Sequence, residues 1–285
     1  VLFVIENNGY GLSTPNKEQF KGESLAVRGE GYGVESLSID GNNIVEVYTT
    51  VKEKLESIRK NPRPILLECF TFRMRGHEEA SGTKYVPKDV MEYWEKKDPV
   101  VNFEKYLVDK KIYSNTEIVK ERDRLKDEIN EAVKTSFDNS KFDVNEDTEI
   151  EDVFYPYTQK VIHPKEKTMS ERRYVDAISD SLDQNMRKYR DLVIMGQDIS
   201  DYGGVFKVTE GFVEKFGRDR VRNTPLCESA IIGTALGLSI EGIKSIVEMQ
   251  FADFVTCGFN QIVNNLAKIH YRWGQNADVV VRMPT

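Results

Sequence analysis

Apolar positions along the chain fall into two kinds of pattern. Val1-Leu2-Phe3-Val4-Ile5 is a continuous apolar run, the mark of a strand buried on both faces of a parallel sheet. It stops at Glu6-Asn7-Asn8-Gly9, a turn composition. Residues 36–40 alternate and predict a short strand closed by Gly41-Asn42-Asn43. Ile44, Val47, Tyr48, Val51, Leu55 and Ile58 recur at helical spacing and predict a helix over 44–60, stopped by Pro62 and Pro64. Residues 64–70 read as another buried strand. Strand, helix and strand at crossover length predict a parallel sheet. Residues 88–139 are rich in Lys and Glu with spaced Tyr, Trp, Leu and Ile, and predict amphipathic helices.

A second α/β pattern begins at Ser170. Ser170-Glu171-Arg172-Arg173 opens a helix expected to run to about Tyr189. Leu192-Val193-Ile194-Met195 predicts a strand ending at Gly196. Residues 228–241 predict a helix with small residues at Ala230, Gly233, Ala235 and Gly237, suited to close packing. Residues 245–249 predict a strand, 252–271 one helix and 278–282 a further strand. Between the two patterns, Asp143, Glu146, Asp147, Glu149, Glu151 and Asp152 crowd into ten residues without a base, a solvated stretch. The organisation predicted is α/β with two tandem domains of parallel sheet flanked by helices. The first covers 1–142 with trailing helices, a connector covers 143–168, and the second covers 169–285. Both are expected to be incomplete at the chain ends, and no close internal repeat is present.

Composition narrows the function. At 285 residues the chain has room for two domains. Its net charge of −7 argues against a nucleic-acid or anionic-membrane partner. No apolar run approaches the roughly 20 residues that span a bilayer. Cys69, Cys227 and Cys257 form no paired or metal-ligand spacing and read as buried small hydrophobes. His77, His163 and His270 are the only histidines, too few for a histidine-rich metal site.

Candidate chemistry sits at strand ends, where parallel α/β sheets bind ligands. Glu6-Asn7-Asn8-Gly9-Tyr10 is by itself a turn, although an Asn oxygen and a backbone carbonyl are hard ligands suited to Mg²⁺. Gly29, Gly31 and Gly33 have the wrong spacing for a dinucleotide loop and read as loop geometry. His77, in Phe72-Arg73-Met74-Arg75-Gly76-His77-Glu78-Glu79, is structural or catalytic on residue type alone. Glu228 opens an apolar helix, where the dipole favours any carboxylate.

The wider wording resembles a known family. Glu6-Asn7-Asn8-Gly9-Tyr10-Gly11-Leu12-Ser13-Thr14-Pro15, Arg28-Gly29-Glu30-Gly31-Tyr32-Gly33 and Asp40-Gly41-Asn42-Asn43 resemble the alpha region of thiamine-diphosphate-dependent 2-oxo acid dehydrogenases, the decarboxylating first component. Gly196-Gln197-Asp198-Ile199, Tyr202-Gly203-Gly204-Val205-Phe206, Thr224-Pro225-Leu226-Cys227-Glu228 and Gln250-Phe251-Ala252-Asp253-Phe254 resemble the beta region, in order and spacing. The resemblance covers nearly all of the chain and is weakest over 110–167. It implies an alpha-like, diphosphate-binding region fused to a beta-like, pyrimidine-binding region. The Gly-Asp-Gly half of the cofactor motif, with its aspartate metal ligand, is expected upstream of Val1.

The resemblance also implies roles. Asn8 and the Tyr10 carbonyl would hold Mg²⁺ against the diphosphate, and Leu12 would wedge thiamine diphosphate into its bent shape. His77 would touch the phosphate and assist acyl transfer at the lipoyl entrance, with Glu78 standing where many mitochondrial relatives have a regulatory Ser. Glu228 would hydrogen-bond the aminopyrimidine as the acid/base group in a buried apolar pocket. Leu226, Gln250 and Phe254 would line the same ring. The implied activity is oxidative decarboxylation of a 2-oxo acid with transfer of the acyl group to the lipoyl domain of a dihydrolipoyl acyltransferase. The wording Pro225-Leu226-Cys227-Glu228 and Gln250-Phe251-Ala252-Asp253 points to branched-chain substrates. A pyruvate or acetoin enzyme of the same family and a non-catalytic scaffold are the alternatives. A homodimer of a bacterial-type fused chain, cytoplasmic, is expected.

Overall fold

The computed structural model of the chain describes residues 1–78, 80–139, 145–161, 163 and 169–285. The chain divides into two units, residues 1–141 and 142–285. The α/β class and the parallel sheets are as the pattern predicts.

In the first unit, β1 (Leu2–Asn7) leads into a small ribbon of β2 (Tyr10–Gly11) and β3 (Thr14–Pro15), then α1 (Asn16–Gln19) and α2 (Val27–Gly31). The crossover β4 (Glu35–Asp40), α3 (Ile44–Lys60), β5 (Ile65–Phe70) follows, and then α4 (Lys88–Glu95), α5 (Pro99–Asp109) and α6 (Asn115–Asn139). The sheet is parallel in the order β1-β5-β4. Its register pairs Asn7 with Phe70 and Asp40 with Phe70, so the three carboxyl ends are level. Asn43 starts α3 by accepting from the Glu46 N–H at 3.3 Å, an N-cap. Ile39, Leu67 and Cys69 form the core, with Val47 and Val51 of α3 against them.

Two expectations change here. β1 is an edge strand, and Phe3 and Val4 are exposed; the strand enclosed by neighbours on both sides is β5, where Ile65 and Leu67 are fully buried. Gly29 and Gly31 lie in α2, not in a loop. A Cβ on Gly29 would stand 2.8 Å from Ser36 Cβ, so that glycine lets α2 approach the start of β4. Only Gly33, at φ +67°, serves turn geometry.

The second unit contains α7 (Glu146–Glu151), α8 (Tyr174–Lys188), β6 (Val193–Gly196), α9 (Phe212–Phe216), β7 (Val221–Asn223), α10 (Glu228–Ile240), β8 (Ser245–Glu248), α11 (Val255–Gln261), α12 (Ile269–Trp273) and β9 (Val279–Arg282). The sheet is parallel, ordered β7-β6-β8-β9. Alternation along its strands feeds two cores. Ile194 joins Leu182, Met186 and Phe212 on one face, and Met195 and Val247 join Ile231, Ile232 and Ala235 on the other. A Cβ on Gly258 would stand 2.5 Å from Ile232 Cδ1 and 3.3 Å from the Glu228 carbonyl oxygen, so α11 crosses α10 closely.

Here too the structure departs from the pattern. α8 starts at Tyr174, four residues beyond Ser170, with Arg173 at its N-cap and no side-chain cap. A capping box needs Glu or Gln three residues after the Ser; that residue is Arg173, whose guanidinium instead pairs with Asp176 at 2.7 Å. The single helix expected over 252–271 is broken into a 3-10 turn at Ala252–Phe254, α11, a π turn at Ile262–Leu266 and α12. Part of the acidic stretch is helical: Asn145 caps α7, and Glu146, Asp147 and Glu149 fill its first turn, where the dipole favours acids. Residues 143, 144, 162 and 164–168 of the expected connector lie outside the described residues, as does Glu79. No described helix is long and apolar enough to cross a membrane.

Candidate active site

At the carboxyl end of β1 the chain makes an excursion that carries Asn8, Tyr10 and Leu12. Gly9 turns it at φ +82°, and Asn8 Oδ1 accepts from the Tyr10 N–H at 3.1 Å. This Asx turn fixes the Asn8 side chain and leaves its oxygen a second lone pair. Opposite Tyr10 in the ribbon stands Pro15, which has no N–H to give the Tyr10 carbonyl. The Tyr10 ring meets Phe72 and Tyr85 edge-on at 6.1 and 5.7 Å. A cavity of about 340 Å³ opens beside these groups, with Asn8, Gly9, Tyr10, Phe72 and Trp94 in its wall.

Leu12 is 58% exposed with its backbone at φ +59°. A left-handed leucine is strained and persists only where its surroundings hold it. The holder is Arg73, whose Nη2 donates to the Leu12 carbonyl at 2.9 Å and to Tyr85 Oη at 3.1 Å. Arg73 Nη1 also lies 3.4 Å from His77 Nδ1. A guanidinium only donates, so Nδ1 is the accepting side of this contact and Nε2 faces away from it. The structure therefore ties Leu12 and His77 to one arginine, while His77 and Glu78 remain exposed. The Glu78 N–H donates to Ser81 Oγ at 2.9 Å, and that hydroxyl donates back to the Glu78 carbonyl at 3.0 Å. Arg73→Met is expected to free this loop, because no apolar side chain replaces a forked donor. Limited trypsin digestion should then cut faster at Arg75 and Lys84; an unchanged cleavage rate would show that other contacts hold the loop.

In the second unit the carboxyl ends of β7, β6 and β8 lie side by side. The chain leaves β6 to β7 on one side and returns to β8 on the other, a switch point of the kind where α/β sheets bind ligands. Thr224 to Glu228 follow β7, Gln197 follows β6, and Gln250 follows β8. Glu228 is the first residue of α10. Its Oε1 accepts from Gln197 Nε2 at 3.1 Å, and Gln197 is itself buried. Leu226 and Phe254 are 81% and 39% exposed; Gln250 and Glu228 are half-buried. The expected enclosed apolar pocket is thus an open wall within this chain. Beneath it, Glu248 at the end of β8 pairs with Arg282; burial pushes the Glu248 carboxyl up against the pull of that arginine.

After Gln197 the backbone is strained at Asp198, Phe206 and Lys207, with φ of 56°, 59° and 59°. Thr209 Oγ1 donates to the Ile199 carbonyl at 2.6 Å, and the Gly204 N–H to the Asp198 carbonyl at 2.9 Å, which pin the loop. Strain of this kind collects at functional sites. The cysteines depart from expectation: Cys69 is buried, but Cys227 and Cys257 are exposed, Cys227 because it is the N-cap of α10 at the open strand end. Among the described residues no group of three His, Cys, Asp or Glu side chains is placed to hold a metal ion.

Residues 1–145 match the family model described as Dehydrogenase E1 component. The chain belongs to that family. Residues 170–285 match the Transketolase, pyrimidine binding domain, so the E1 chain carries both regions that its sequence resembles. It is 43% identical over 118 residues to the 2-oxoisovalerate dehydrogenase subunit beta of Bacillus subtilis (strain 168), covering 41% of this chain and 36% of the relative. It is 42% identical over 118 residues to the pyruvate dehydrogenase E1 component subunit beta of Staphylococcus aureus (strain N315), with the same shares. The chain thus spans about a third of the length of these curated relatives. Their names divide between two substrates at nearly equal identity, so likeness alone does not select the 2-oxo acid.

Sequence reasoning missed Gln197 as the partner of Glu228 and missed Glu68, a buried acid beneath the Asn8 turn. A signal for Glu68 was present: one acid inside the run Ile65-Leu66-Leu67-Glu68-Cys69-Phe70 must find donors in the fold. Gln197→Met is expected to lower turnover about ten- to a hundredfold, the worth of one hydrogen bond to a charged group. Cofactor affinity should change far less. Steady-state kinetics at saturating cofactor check this; turnover equal to the parent would leave Gln197 without a role at Glu228.

Proposed function

We propose that this E1 chain carries the groups for oxidative decarboxylation of a branched-chain 2-oxo acid with thiamine diphosphate and Mg²⁺. The acyl group passes to the lipoyl group of a dihydrolipoyl acyltransferase, and the fused chain works as a homodimer. The observation that carries the reading is Glu228, at the carboxyl end of the sheet with one oxygen held by Gln197 and the other left for a ring nitrogen. The first unit supports it with oxygen donors at Asn8 and Tyr10 beside a cavity.

The residues present fit the cofactor. The Asn8 amide oxygen and the Tyr10 carbonyl are the oxygen donors that Mg²⁺ takes, and Leu12 offers an exposed apolar side chain on a backbone held by Arg73. When bound, thiamine diphosphate supplies the carbanion chemistry that lets a 2-oxo acid lose CO₂. Glu228 would give and take the proton at the aminopyrimidine, and Gln197 would keep its carboxylate oriented for it. Leu226, Gln250 and Phe254 would line the ring. His77, exposed with Nδ1 turned to Arg73, would leave Nε2 for the phosphate and the incoming lipoyl group.

The Pro225-Leu226-Cys227-Glu228 and Gln250-Phe251-Ala252-Asp253 wording supports the branched-chain substrate. Pyruvate is the second reading, favoured by the Staphylococcus aureus relative. The test is CO₂ release by the holoenzyme with thiamine diphosphate and Mg²⁺ from 3-methyl-2-oxobutanoate and from pyruvate. Higher kcat/KM for the branched substrate is expected. Preference for pyruvate would transfer the assignment, and no release from either would overturn it. Glu78 carries one charge and far less bulk than a phosphate, so the Glu78→Ser holoenzyme should keep its activity within about a few-fold. A large gain would show that Glu78 is inhibitory.

A further inference from the structure

Beneath the Asn8 turn lies a hydrogen-bond network that neither the proposed chemistry nor the family match uses. Glu68 is fully buried in the central strand β5. Its Oε1 accepts from Asn7 Nδ2 at 2.7 Å and the Leu25 N–H at 3.0 Å. Its Oε2 accepts from Ser38 Oγ at 2.8 Å, the Ala26 N–H at 3.1 Å, and Ser24 Oγ. A carboxylate has about four lone-pair sites, and these donors occupy both oxygens. Glu68 therefore has no lone pair left for a ligand or a further donor.

Asn7 carries the tie onward. Its Oδ1 accepts from the Gly9 N–H at 3.2 Å and from Asn16 Nδ2 at 2.6 Å. The Asn16 N–H donates in turn to the Gly9 carbonyl at 2.9 Å. These bonds close a neck between Gly9 and Asn16. Asn8 stands at its mouth, and Tyr10 and Leu12 lie within the closed excursion. The path from the sheet core to the turn is thus Glu68, Asn7, then Gly9 and Asn16 together.

We infer that Glu68, acting through Asn7, is a positioning residue for the metal-and-diphosphate turn. It fixes the neck so that Asn8 Oδ1 and the Tyr10 carbonyl are presented to Mg²⁺ in one geometry. This rests on the reading of Asn8 and Tyr10 as metal ligands given above. A glutamine at position 68 cannot replace the carboxylate, because its NH₂ would face donors. Partners that orient ligands from behind govern metal affinity as the ligands themselves do.

Two variants separate positioning from plain stability. Asn7→Ala and Ser38→Ala each remove one donor from Glu68, but only Asn7 leads to the turn. Mg²⁺ is titrated into the metal-free protein at saturating thiamine diphosphate and followed by the fluorescence of Trp94, which lines the same cavity. Thermal unfolding is recorded in parallel. Both variants should unfold at lower temperature. Asn7→Ala should raise the Mg²⁺ Kd by about tenfold or more, while Ser38→Ala stays within about twofold of the parent. An Asn7→Ala Kd within about twofold of the parent, or equal losses in both variants, would overturn the inference. Asn8→Ala is the control for the underlying reading. If it also binds Mg²⁺ like the parent, the metal assignment itself fails; if it is weakened while Asn7→Ala is not, only the positioning role fails.

Discussion

Glu228→Ala is expected to lower decarboxylation by about 10²–10⁴-fold, the usual worth of a general acid–base group, while thiamine diphosphate affinity falls little. The reason lies in how the groups are divided between the two units. In the proposed reading the donors for the metal and diphosphate are Asn8 and Tyr10 at the end of β1, and Glu228 serves only the ring. Its Oε1 is occupied by Gln197 at 3.1 Å, so alanine removes one aligned carboxylate and leaves Gln197 facing an empty position. Turnover within about tenfold of the parent would contradict the acid/base role. Glu228→Gln should be as inactive, since the amide keeps the shape but not the proton transfer. This separates chemistry from packing.

Asn8→Ala is expected to weaken Mg²⁺ and thiamine diphosphate together, because the metal joins protein oxygen to phosphate. Alanine also removes the acceptor for the Tyr10 N–H, so the second ligand loses its orientation with the first. The loss should therefore exceed that of one ligand and be partly recovered at high Mg²⁺. Titrating the cofactor at several Mg²⁺ concentrations tests this. An apparent affinity equal to the parent at each concentration would reduce Asn8 to a turn residue.

Much of this arrangement was legible where short-range chemistry decides. α3 follows from Ile44, Val47, Val51 and Leu55 between the cap at Asn43 and the stop at Pro62. β5 follows from its unbroken apolar run, and the parallel pairing from the crossover between β4 and β5. β7 and the β2–β3 ribbon were not legible, since strands of two or three residues carry no period. The break in the helix over 252–271 was invisible too, because its apolar spacing continues through the π turn. Asn8, Tyr10 and Glu228 were singled out by wording alone. Their supports were not: Gln197 reaches Glu228 across 31 residues and Asn7 reaches Glu68 across 61. Such pairings exist only once the strands are level. For the same reason the left-handed backbone at Leu12 and its hold by Arg73, also 61 residues away, had no local signal.

The central claim is that this chain binds thiamine diphosphate through Mg²⁺. Thermal unfolding of the protein with neither, either or both tests it most directly. A ligand at 100 times its Kd stabilises the native state by about 2.7 kcal/mol, so a clear rise in Tm is expected when both are present and little with either alone. It should vanish in Asn8→Ala at the same concentrations. An identical Tm under all conditions, with both ligands raised to high concentration, would contradict the account.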